Sequence, residues 1–94
     1  MHVEAVEIYS DAANAAILRH PGRRFPGLLI QGDALHSLCI AIDHVYSKTR
    51  SELDPDTLKE MNDLRESMWD FVSHYKSVLQ EHGLQLPFSE IPPG

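Results

Sequence analysis

Three groups of side chains have types and spacings that could do chemistry. The first is a set of six histidines with one cysteine, Cys39. His36 and His44 fall on one predicted helix but lie about 12 Å apart along its axis. One zinc ion, with ligands at about 2 Å, cannot take both. His36 and Cys39 are three residues apart, yet Cys39 belongs to an apolar stripe and no second His–Cys half follows. Histidines scattered over the surface account for the pattern, so no metal site is expected.

The second group is Asp70 with His74, one helical turn apart and on the same face. A carboxylate that orients an imidazole is part of a nucleophilic triad. No Gly-x-Ser-x-Gly segment supplies the nucleophile, and Cys39 reads as buried. An exposed helical pair worth a few tenths of a kcal/mol is the preferred reading. No catalytic residue and no cofactor are assigned, and whether the chain is an enzyme stays open, with the balance towards no.

The third group is Arg19, Arg23 and Arg24, the lysine and arginine content of the chain before Lys48. Arg23 and Arg24 sit between Pro21-Gly22 and Pro26-Gly27, so a loop pinned by two turns carries two guanidiniums. Guanidiniums on a constrained loop suit a phosphate or carboxylate. With Asn14 and Asp33 they form a candidate site for a small anionic ligand or phosphate ester. The alternative is that these arginines pair with the acidic second half of the same chain.

Acidic residues gather further on. Residues 52–70 hold Glu52, Asp54, Asp56, Glu60, Asp63, Glu66 and Asp70 against Lys59 and Arg65. The simple reading is a solvated helix face with acids near its N-terminus, where the helix dipole favours them. The sharper reading is a docking face for a basic partner, made of Glu60, Asp63, Glu66 and Asp70 with Trp69 as anchor. Trp69 could equally be covered by Pro87 or Phe88 of the tail.

These residues need elements to hold them. Val3 to Tyr9 reads as a first strand, Ala15 to His20 as a second, and residues 27–31 as a third. Short connections make them an antiparallel meander with one covered face. Asp33 stands as N-cap of a first helix over about residues 34–48. Leu35, Leu38, Cys39, Ile42, Val45 and Tyr46 form its apolar stripe. Asp54-Pro55 starts a second helix that runs to about His82, with Gly83 as its stop. Its stripe is Met61, Leu64, Met68, Phe71, Val72, Tyr75, Val78 and Leu79. At roughly 40 Å it must overhang the sheet or break. The tail, residues 84–94, carries Leu84, Leu86, Phe88 and Ile91 and is expected to run back over the helices. The expected fold is therefore α+β: one domain over 1–94, with a three-stranded antiparallel meander (1–33), two helices packed on one face (34–83), the second long, and an extended tail (84–94).

The run Asn14-Ala15-Ala16-Ile17-Leu18-Arg19-His20-Pro21-Gly22-Arg23-Arg24-Phe25-Pro26-Gly27-Leu28-Leu29-Ile30-Gln31-Gly32-Asp33 resembles the signature of a family of short bacterial proteins. Those open on a similar segment to Val6-Glu7-Ile8-Tyr9-Ser10. The resemblance covers the first third of the chain. It implies a bacterial source and a single domain, and it supplies no activity.

Composition bounds the function. The chain has 94 residues, 43% of them apolar and 23% charged, with a net charge of −6. A chain this short buries roughly 60–70% of its unfolded surface, a thin core. The negative charge argues against nucleic acid, which needs a basic face. No apolar run reaches the ~20 residues of a membrane span. The N-terminus has no signal-peptide pattern, and one cysteine fits a reducing, cytoplasmic setting. The reading is a non-enzymatic protein-binding module, immunity- or antitoxin-like, whose partner is another protein or a second copy of itself. The alternative is the anionic-ligand domain built on Arg19, Arg23 and Arg24.

Overall fold

A computed structural model describes residues 1–13 and 15–89. The order is β1 (Glu7–Ser10), β2 (Ala15–Arg19), β3 (Gly27–Ile30), α1 (Gly32–Thr49) and α2 (Pro55–Glu81). The strands form one antiparallel sheet in the order β1-β2-β3. This is the α+β meander followed by two helices that the sequence implies.

The β2–β3 connection starts with a four-residue turn. The Arg23 backbone N–H donates to the His20 carbonyl at 2.9 Å, with Pro21 at the position where its fixed φ is useful. The Gly22 N–H donates to His20 Nδ1 at 3.1 Å. The pairing Ala15↔Ile30, Ala16↔Leu29, Ile17↔Leu28 and Leu18↔Gly27 puts Ile17, Leu28 and Ile30 on one face. Between β1 and β2 the register shifts at Tyr9, which is bulged out.

α1 starts earlier than Asp33. Gln31 takes the N-cap position with extended backbone and makes no side-chain cap bond, while Asp33 lies in the first turn. The Asp33 Oδ1 accepts from the Ala34 N–H at 2.9 Å. The assignment of Asp33 as N-cap is thus corrected. Gly32 is a poor helix former, but it is buried against Tyr75, and this long-range contact overrides its propensity.

α2 is one continuous helix of 27 residues. Asp54 caps it, accepting from the Thr57 N–H at 2.9 Å and from the Thr57 hydroxyl at 2.8 Å, with Pro55 at the first turn. It ends in a Schellman motif: the Leu84 N–H donates to the Leu79 carbonyl and the Gly83 N–H to the Gln80 carbonyl. Gly83 has φ 66°, the left-handed value that glycine accepts without cost.

The packing departs from the expected picture. The main contacts run from β1 to β2, from β2 to β3 and from α1 to α2. The sheet meets the helices through β3, where Leu28 and Ile30 face Leu35 and Val78. Most of the sheet stays open: Ile8, Leu28 and Leu29 are each more than half exposed. Among the described residues the fully buried side chains are Cys39 of α1 and Val72 of α2. The radius of gyration is 16.3 Å, against about 12 Å for a compact chain of this length.

Candidate functional site

The arginine loop does not converge on an empty site. Glu7 and Arg19 are register partners across β1 and β2. Arg19 Nε donates to Glu7 Oε2 at 3.1 Å and its Nη2 donates to Glu7 Oε1, a bidentate pair. The Tyr9 hydroxyl donates to Glu7 Oε2 at 2.6 Å. The Arg19 hydrogen bonds, then that of Tyr9, hold the Glu7 carboxyl down at about 2, and the same contacts raise the Tyr9 hydroxyl and the Arg19 guanidinium. Arg24 lies over the Phe25 ring at 5.2 Å. Arg23 is exposed and lines a shallow hollow with His20 and Phe25. Asp33 sits in the first turn of α1, on a different hollow beside Tyr75 and Pro87. Asn14 lies outside the described residues. Arg19 thus has an internal partner in Glu7 of the neighbouring strand, not in the acidic second half of the chain.

The acidic face of α2 divides in two. Glu60, Asp63, Glu66 and Asp70 are exposed. Asp63 accepts from Lys59 Nζ at 2.8 Å, and Glu66 accepts from Asn62 at 3.1 Å. Trp69 is half-buried and faces the other way. Its indole N–H donates to Asp43 Oδ1 at 3.0 Å, and Arg65 Nε donates to the same oxygen at 2.8 Å. Arg65 also donates to Asn62 Oδ1 at 2.7 Å and lies over the Tyr46 ring at 4.3 Å. Asp43 is therefore the point where α1 grips α2, and the Trp69 indole N–H is spent within the chain. Periodicity cannot reveal a partner 26 residues away.

Histidines and tail meet in an aromatic cluster. His36 stacks on Phe88 with centroids 4.0 Å apart and planes 2° from parallel. It also meets Trp69 edge-on at 5.7 Å, and Phe88 lies 6.4 Å from Tyr75. The tail does run back over the helices as far as it is described; Ile91 lies outside the described residues. Asp70 and His74 are both exposed, and among the described residues no hydrogen bond joins them. Burial, then the nearby Asp43 carboxylate, raises the Cys39 thiol. Such a thiol is a weak nucleophile. Among the described residues no three His, Cys, Asp or Glu side chains are grouped to hold a metal ion. Among the described residues no helix is long and apolar enough to cross a membrane.

What the fold does build is an open apolar groove of about 640 Å³. β3 supplies Leu28 and Ile30, α1 supplies Leu35 and Leu38, and α2 supplies Met68, Phe71, Tyr75, Val78 and Leu79; His74 is at its margin. Leu38 is 48% exposed and Phe71 63%. Leu38 and Phe71 belong to the apolar stripes of α1 and α2. The stripes are real, but each is wider than the contact between α1 and α2. The width of each stripe is readable from helix periodicity, but not which flank of it stays uncovered.

The model of a family of unknown function, DUF6959, matches residues 1–88. The chain belongs to this family. The match takes in the strands, both helices and the docked Phe88, so it reaches well beyond the N-terminal third that carries the sequence resemblance. No curated protein and no solved structure matches the chain.

Proposed function

We propose that this chain works by binding protein rather than by catalysing a reaction, as a small interaction module whose working surface is the apolar groove. The observation that carries the reading is the exposure of Leu28, Leu38 and Phe71, all of which line that groove. Side chains of this size on one side of a small chain mark an interaction site. The polar groups that could have served chemistry are engaged elsewhere: His36 on Phe88, Trp69 on Asp43, Arg19 on Glu7. An immunity- or antitoxin-like role is one form such a module takes, with Glu60, Asp63, Glu66 and Asp70 steering a basic partner to the neighbouring groove. A cytoplasmic, bacterial setting suits a chain whose one cysteine is a buried thiol. The anionic-ligand reading is left with Arg23 and Arg24 on an exposed loop, which supports it less.

A photo-crosslinking side chain placed at position 71 tests the proposal in cells. Adducts of defined mass are expected there and not from the same group at Lys59, which is exposed and lies outside the groove. A chain that stays free at both positions would overturn the reading.

A further inference from the structure

We propose that the face is covered by a second copy of the chain, the two helical hairpins packing into a four-helix bundle about a two-fold axis. The inference rests on the interaction-module reading and names its occupant. On α2, Met61, Leu64, Met68, Phe71, Tyr75 and Val78 follow one another at intervals of three and four residues. On α1, Leu35, Leu38, Ile42 and Val45 do the same. This is the spacing of a seam that meets other helices along its length. The chain's own hairpin does not use the centre of that seam. Its fully buried residues, Cys39 and Val72, each directly follow a seam residue and so point about 100° around from it. The alternate seam positions lie open: Leu38 and Val45 are each 48% exposed, Leu64 52% and Phe71 63%.

α1 and α2 are packed side by side, and Leu38 and Phe71 line the same groove. Two parallel apolar ridges on one hairpin are what a matching hairpin requires. Asp63, Glu66 and Asp70 lie off the seam, so closing it leaves them in solvent, while Glu60, one turn before Leu64, stands at its open N-terminal end.

The exposed area leaves room for such an interface. The chain exposes 7591 Å², about 2,000 Å² more than the roughly 5,500 Å² of a compact chain of its mass. Two copies that each hide half of that excess or more reach the roughly 2,000–5,000 Å² total of an obligate homodimer. A symmetric pair needs no second gene product, and isologous dimers are the commonest assemblies.

Sedimentation equilibrium or light scattering of the purified chain at micromolar concentration tests this. The expected mass is twice the 10.6 kDa of one chain. Phe71→Glu and Leu64→Glu should each weaken the dimer at least about thirtyfold while far-UV dichroism stays helical, and Asp70→Ala should leave the dimer intact. If the charged variants fail to fold, Phe71→Ala gives the same reading without burying a charge. A wild-type monomer, or a dimer indifferent to both Phe71 and Leu64, would overturn the proposal. A monomer that still forms adducts with another protein through position 71 overturns the dimer alone. The absence of any adduct overturns the wider reading too.

Discussion

Gly32 packs directly against the ring of Tyr75: a methyl group built on Gly32 would overlap the hydroxyl end of that ring. The contact joins the first residue of α1 to the C-terminal half of α2 and fixes where the sheet hands over to the hairpin. It makes an unusual prediction. Gly→Ala in a helix should stabilise by about 1 kcal/mol on propensity. Here overpacking, at about 1–3 kcal/mol, opposes that gain. Gly32→Ala should therefore lose about 1 kcal/mol in denaturant melts, and the loss should shrink when Tyr75 is also replaced by Ala. A simple gain in stability would show that the ring swings aside freely.

Asp43 should matter more than any acid on the exposed face of α2. Asp43→Ala strips one acceptor from both Arg65 and Trp69, at a cost of about 1–3 kcal/mol. Trp69→Phe, which loses the indole N–H but keeps much of the ring, should cost about 1 kcal/mol. Asp63→Ala breaks an exposed pair with Lys59 and should change stability by less than about 0.5 kcal/mol. Urea melts of the three variants rank them, and parity between Asp43 and Asp63 would remove the clamp from the account.

The Glu7 pair sets a pH dependence. Its carboxyl is lowered from 4.5 to about 2 in the folded chain, first by Arg19 and then by Tyr9. A lowered carboxylate contributes stability above its unfolded value and loses it as pH falls towards the folded one. Stability should thus decline from about pH 4.5 to about pH 2, and Glu7→Gln should flatten that part of the curve. The pair is exposed, so the effect should be modest and weaker in high salt.

The core variants follow burial and not stripe membership. Val72→Ala should cost about 2 kcal/mol, since Val72 is enclosed. Leu38→Ala should cost less than that in the isolated chain, because Leu38 is half exposed, and more at concentrations where a second copy covers it. His36→Ala should also cost stability, because that ring stacks on Phe88 and meets Trp69. Melts at two protein concentrations separate these effects.

Cys39 reports on the same core. It is fully buried and its thiol is raised by desolvation, so a disulfide reagent should label it slowly in the native chain and fast in denaturant. Rapid native labelling would mean that α1 and α2 part readily.

Local chemistry made much of the fold legible in the sequence. Asp54-Pro55 starts a helix because a short acceptor and a fixed φ suit the first turn wherever they occur. Gly83 ends it because few other residues take a positive φ without cost. The strands at Ile8, Ile17 and Leu29, and the two apolar stripes, follow from periodicity, which is also local. Tertiary structure decided the rest. Gly32 has a low helix propensity and yet lies in α1, where Tyr75, far along the chain, packs in the space a side chain would take. Trp69 reads as a free anchor and is held by Asp43. Arg19 reads as ligand-seeking and is held by Glu7. Above all, periodicity tells which residues share a helix face but not which flank of that face the other helix occupies. Only the docking of α1 on α2 put Cys39 and Val72 inside and left Leu38, Leu64 and Phe71 facing out, because one narrow helix contact cannot cover so wide a stripe.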